Sequence, residues 1–206
     1  MRYGRSDRNY LFSDGDIFAV VEGRKKQIEE EINGLDRNRI LNASIEDLCG
    51  YIEEKFRLQT PILHEEQAVA DQNEGTVEVY DTWRYARDRE DGPLLLTGTI
   101  VDLTVPFTGD PELFRVRPST YTTVLPIAEV RGSTLVFKVS GRDMNPEQVK
   151  NELNSQIKTV NEYLGWLRSS TDPFNAGIRD LARTLIERRR QKLLADQNLV
   201  SALGFP

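Results

Sequence analysis

From residue 145 onward the apolar side chains fall into a regular step. After Asn145-Pro146-Glu147-Gln148, the residues Val149, Leu153, Ile157, Val160, Leu164 and Leu167 follow one another at intervals of three and four. That spacing lines up one face of an α-helix. Asn at the N-cap with Pro in the first helical position is a start signal. Thr171-Asp172-Pro173 repeats the same grammar, and Phe174, Ile178, Leu181, Leu185 and Ile186 carry a second stripe towards Leu193 and Leu194. Only Ser169-Ser170-Thr171 lies between the two, which is room for a tight reversal. The pattern therefore predicts two long antiparallel helices in a hairpin.

The N-terminal third is patterned more weakly. Residues 1–12 read as a flexible arm. Ser13-Asp14-Gly15-Asp16 offers N-caps for a helix carrying Ile17, Val20, Val21, Ile28 and Ile32, which Asn33-Gly34 should stop. A second helix is expected from Ser44, with Asp47 completing a weak capping box and Ile45, Leu48, Cys49, Ile52 and Phe56 buried. Thr60-Pro61 should end it. The middle alternates with period two: a strand over 76–80, an exposed loop over 84–92, one or two strands over 94–107 and a short strand over 113–117. A hairpin of 121–130 with 134–139 closes it, turning at Arg131-Gly132-Ser133. The fold class is thus α+β: two N-terminal helices, an antiparallel sheet of about five strands, and a long C-terminal antiparallel helical hairpin. In domain terms this is an arm (1–12), an α+β body (13–142) and a hairpin (143–206) packed on the body. The Leu203-Gly204-Phe205-Pro206 ending suggests a downstream domain that is missing.

Charge changes the picture in one respect. The net charge is −6, but residues 1–140 hold 17 Lys/Arg against 25 Asp/Glu and residues 141–206 hold 10 against 8. An acidic body is a poor general polyanion binder. The tail's Arg183, Arg188, Arg189, Arg190 and Lys192 are the candidates for a nucleic-acid contact, although successive helical residues turn by about 100° and cannot all face one partner. Arg115 and Arg117, with Arg142, are candidates for a small-anion or nucleotide pocket. One cysteine, no apolar leader and no membrane-length apolar run point to a cytoplasmic protein away from membranes.

No motif calls for a cofactor, a metal or a catalytic set. His64 sits in Leu63-His64-Glu65-Glu66-Gln67, but Ala68 stands where a zinc helix needs its second His. Asp102, Asp110 and Glu112 could supply nuclease acids, but Glu129-Val130-Arg131 puts an arginine where a lysine is expected. Phosphate-binding glycine loops and a Gly-x-Ser-x-Gly elbow are missing.

Four stretches, Pro106-Phe107-Thr108-Gly109-Asp110, Glu162-Tyr163-Leu164-Gly165-Trp166, Ile186-Glu187-Arg188-Arg189-Arg190 and Leu203-Gly204-Phe205-Pro206, resemble an N-terminal module of bacterial multidomain defence and signalling proteins. In those proteins a separate TIR-like or nuclease-like effector domain follows. The resemblance implies a regulatory module with an effector in cis and brings no catalytic residue. The expectation is a non-catalytic regulatory, sensing or oligomerising module, self-associating or acting on an effector in cis. Its interface would be Leu153, Ile157, Val160, Tyr163, Leu164, Trp166 and Leu167. A nucleic-acid-binding or metal-dependent nuclease-like protein is the alternative, and a small-anion or nucleotide sensor the second.

Overall fold

The structure, a computed structural model, describes residues 9–79 and 94–202. The loop expected over 84–92, Trp83 and the 203–206 ending lie outside the described residues. Three N-terminal helices precede the sheet: α1 (Ile17–Gly34), α2 (Arg37–Asn42) and α3 (Ile45–Phe56). Each has the polar cap its sequence offers. Asp16 Oδ1 accepts from the Phe18 N–H at 2.8 Å, Asp36 Oδ1 from Asn38 and Arg39, and Ser44 Oγ from Asp47 at 3.2 Å. The expectation of two helices missed α2, six residues with the single buried side chain Ile40. Gly34 closes α1 without a left-handed φ; the Leu35 N–H donates to the Glu31 carbonyl instead. The third helix ends at Phe56, before Thr60-Pro61, because the following backbone is held extended by a side chain described below.

The strands are β1 (Gly15–Asp16), β2 (Ile62–Leu63), β3 (Val69–Val79), β4 (Leu94–Thr108), β5 (Val116–Arg117), β6 (Glu129–Arg131) and β7 (Thr134–Gly141). β1 and β5 form a two-residue parallel pair. The other five make one antiparallel sheet in which β4 is central. β7 lies along one edge of β4 and β6 beyond it, while β2 and β3 follow one another along the opposite edge. The β6–β7 hairpin turns at Gly132-Ser133, and Gly132 takes the positive φ (58°) that a tight turn needs at its first loop position. The strand expected over 113–117 is shortened to β5, since Pro111–Phe114 is a 3-10 turn capped by Asp110.

One helix, α4 (Pro146–Ala202), replaces the expected hairpin. Its 57 residues give a rod of about 85 Å. Pro173 removes one helical donor and normally costs about 3 kcal/mol in a helix interior. Here it sits on the exposed side. The buried face never breaks phase: Leu167, Thr171, Phe174 and Ile178 continue the three-and-four step, and Thr171 is fully buried. A reversal at 169–171 would expose that threonine. The extended segment after α3 also straps the helix on both sides of the proline. Asn175 accepts from the Leu58 N–H and donates to the Leu58 carbonyl, both at 2.9 Å. Thr171 and Thr60 share a 2.8 Å hydroxyl bond, and Arg168 donates to the Pro61 carbonyl at 2.9 Å.

Two apolar cores lie along this spine. The first half of α4, Leu153 to Leu167, packs on the inner face of the sheet through Val105, Phe107, Leu135, Phe137 and Val139. The second half, Phe174 to Ile186, packs on Ile28, Ile32, Ile40, Leu48, Cys49 and Ile52 of the three helices. Val20 and Val21 of α1 touch both. Residues 9–12, expected as part of the arm, are instead docked. Leu11 is buried, and Phe12 is fully buried with its ring stacked 4.9 Å from Tyr163. The Leu11 N–H donates to the Pro126 carbonyl, and Phe12, at φ 56°, donates to Phe114.

Candidate functional site

A groove of about 1040 Å³ opens between the sheet and the first turns of α4. Strand alternation builds its floor. On β4 the odd-numbered side chains Thr99, Val101 and Leu103 line it, continued on β3 by Ala70 and Gln72, the cross-strand partners of Leu103 and Val101. The β7–α4 connection, Arg142 to Asn145, closes one end. The wall is the first turns of the helix, Val149, Lys150, Leu153 and Asn154. Asn145 fixes how the helix enters, since its Oδ1 accepts from the Glu147 N–H at 2.9 Å and the Gln148 N–H at 3.3 Å. The result is a largely apolar trough with exposed Arg142, Asp143 and Lys150 on its rim.

The residues expected at an interface are covered by the chain itself. Leu153, Ile157, Val160, Tyr163, Leu164 and Leu167 are 0–6 % exposed in the sheet-side core. Trp166 is partly buried beside them, its ring 4.9 Å from that of Tyr163. The Tyr163 hydroxyl donates to the Thr122 carbonyl at 3.0 Å and accepts from the Thr122 N–H at 3.1 Å. The seam is filled by the chain's own sheet-side core.

The expected anion contacts are dispersed. Arg115 lies 4.0 Å from Asp14 and 3.5 Å from Glu112. Arg117 lies 3.7 Å from Asp16 and stacks over Tyr121. Arg183 pairs with Glu46 at 2.6 Å. Arg189 donates to the Asn33 and Leu35 carbonyls, and Arg190 to those of Ile40 and Ala43. Those carbonyls lie at the C-terminal ends of α1 and α2, where helix carbonyls lack internal partners. Arg188 and Lys192 border a smaller hollow, about 410 Å³, against Glu29 and Asn33. Of the three arginines suggested for an anion pocket, only Arg142 lines the groove. Lys150, Gln72 and Met144 escaped notice because the groove joins segments far apart in sequence; the even alternation of β4 was the one signal for its floor.

The remaining reactive groups are held quietly. Cys49 is fully buried, as its place on the α3 stripe implies, and burial pushes its thiol pKa up. His64 Nδ1 stands 3.7 Å from Glu66, and the His64 N–H donates to the Pro106 carbonyl. Among the described residues, no three His, Cys, Asp or Glu side chains are grouped to hold a metal ion. Nor is any described helix long and apolar enough to cross a membrane. No family model, no curated protein and no solved structure matches this chain.

Proposed function

We propose that the protein is a non-catalytic sensing module of the cytoplasm that takes its ligand in the groove between sheet and spine helix. One observation carries this: a trough of about 1040 Å³ with a largely apolar floor and a charged rim of Arg142, Asp143 and Lys150, set between the sheet and the spine helix. No nucleophile–base pair accompanies it among the described residues. The wall of the trough belongs to α4, and α4 also carries the three-helix core. Groove occupancy therefore acts on a rod that extends beyond both cores, where Leu194 and Leu199 are exposed. A regulatory part joined to an effector in cis, as the bacterial resemblance implies, would be worked through that rod.

A thermal-shift screen of peptides, nucleotides and small acids tests the reading, run in parallel on a groove-filling variant, Val149→Trp. A ligand at a hundred times its Kd stabilises by about 2.7 kcal/mol, which for a chain of this length raises Tm by roughly 5–10 °C. The variant should lose that shift while keeping its own melt. A ligand that stabilises parent and Val149→Trp equally, or a screen in which no class shifts Tm, sinks the groove as the site.

A further inference from the structure

We propose that the groove's occupant is an extended segment of another protein, alternating basic and apolar residues, added as a strand to the free edge of β3. The inference rests on the groove being the ligand site and names what fills it.

β3 is eleven residues long and pairs with β4 along one side only. No described strand lies on its other side, so its outward N–H and C=O groups form a row able to accept a further strand. That edge is also the open margin of the groove. Ala70 and Gln72, on the inner face of β3, line the trough beside Val101 and Leu103 of β4. A strand added about 4.8 Å beyond β3 would set its inner-facing side chains over the mouth of the trough, whose floor selects apolar groups.

The outer face selects charge. Asp71 of β3 stands directly across from Asp102 of β4. Like charges at facing positions repel. Asp102 Oδ1 is buried and accepts no hydrogen bond among the described residues. On its other side stands Lys138, whose amine lies 3.6 Å from Glu129. A lysine or arginine on the added strand, opposite Asp71, would pair with that carboxylate and offset its repulsion with Asp102. The same chemistry disfavours a second copy of this chain. β3 carries Asp71 on this face, Glu74 on the other, and no Lys or Arg, so edge-to-edge self-pairing gains no opposite-charge pair.

The test uses fluorescence anisotropy with an eight-residue peptide of alternating lysine and valine. Two control peptides accompany it: one N-methylated at every second amide along one edge, the other with glutamate in place of lysine. The parent peptide should bind saturably. Each control should bind at least tenfold more weakly, as should the parent peptide to Asp71→Lys, a variant at an exposed position that should melt no lower than the parent. Equal binding of the N-methylated peptide overturns strand addition. Equal binding of the glutamate peptide, or an undiminished Asp71→Lys, overturns the charge pairing. Self-association that Asp71→Lys alters would assign the edge to a second copy instead. If no alternating peptide binds while compounds from the Val149→Trp screen still stabilise the protein, the strand fails and the groove survives; if neither binds, both fail.

Discussion

The two halves of the spine helix hold their partners by different means. From Leu153 to Leu167 the contact is mostly apolar; the Tyr163 hydroxyl is engaged by the Thr122 backbone, and Asn161 donates to Glu65 at the margin. From Arg168 onward polar groups take over the positioning. Asn175 clasps the Leu58 backbone, Arg179 pairs with Glu53 at 2.5 Å and Arg183 with Glu46, and Arg189 and Arg190 cap the ends of α1 and α2. An apolar seam tolerates small slides. Directed bonds to backbone carbonyls fix register and rotation. The comparison suggests that the helical layer sets where the rod points, and that the sheet side, where the groove lies, is the half with room to respond.

The largest effect should come from the apolar half. Leu164 is fully buried, so Leu164→Asp forfeits about 1.5–3 kcal/mol of burial and adds several more for an unpaired charge. A loss of about 5 kcal/mol or more takes most of a typical domain's stability. Urea unfolding followed by near-UV circular dichroism should show the sheet-side core lost. A variant that unfolds at the parent's midpoint would mean that the seam does not hold the sheet.

How the spine was legible, and where it was not, follows from the same contrast. The seam Val149–Leu167 was readable because apolar periodicity is local. The hairpin was misread because Thr171 and Asn175 are polar residues occupying buried stripe positions, and Asp172-Pro173 imitates a helix start. What keeps the helix running is supplied by Leu58 and Thr60, more than a hundred residues away. The helices at Ser44 and Asp16 announced themselves through caps. α2 did not, having one apolar anchor. β3 was seen only in part, because Val69 to Gly75 shows no apolar alternation, being largely exposed at a sheet edge. The arginines looked like a ligand surface because a basic run reads the same whether it faces solvent or the carbonyls of neighbouring helices.

The junction between the halves should respond next most strongly. Asn175→Leu keeps the shape of the side chain but leaves the Leu58 N–H and carbonyl unpaired in a site where Asn175 itself is 7 % exposed. At about 1–3 kcal/mol for each of the two orphaned groups, the expected loss is roughly 2–6 kcal/mol, measured by urea denaturation. Thr171→Val, which removes a single hydroxyl bond to Thr60, should cost about 1 kcal/mol. If Asn175→Leu is neutral, the strap is incidental, and packing alone carries the helix across Pro173.

The smallest effect tests the polar logic of the helical half through pH. Glu31 of α1 accepts from Lys55 Nζ at 2.7 Å and from the Tyr51 hydroxyl at 2.5 Å, both on α3, while Arg39 of α2 stacks over the Tyr51 ring. The Lys55 bond, then the Tyr51 bond, hold the Glu31 carboxyl pKa below its ordinary value, and burial opposes them. A lowered folded pKa gives stability that is complete above the unfolded value, about 4.3, and is lost as pH falls through the folded one. Glu31→Gln should therefore lower Tm at pH 7 by about 1–2 °C, the scale of a partly exposed pair. The gap to the parent should close as pH falls through the lowered folded pKa, where the parent's carboxyl is protonated as well. A Tm difference that stays constant from pH 7 to pH 3 would show that the tie between α1 and α3 does not depend on the carboxylate's charge. The helical half would then be held, like the sheet half, by shape rather than by directed ionic bonds.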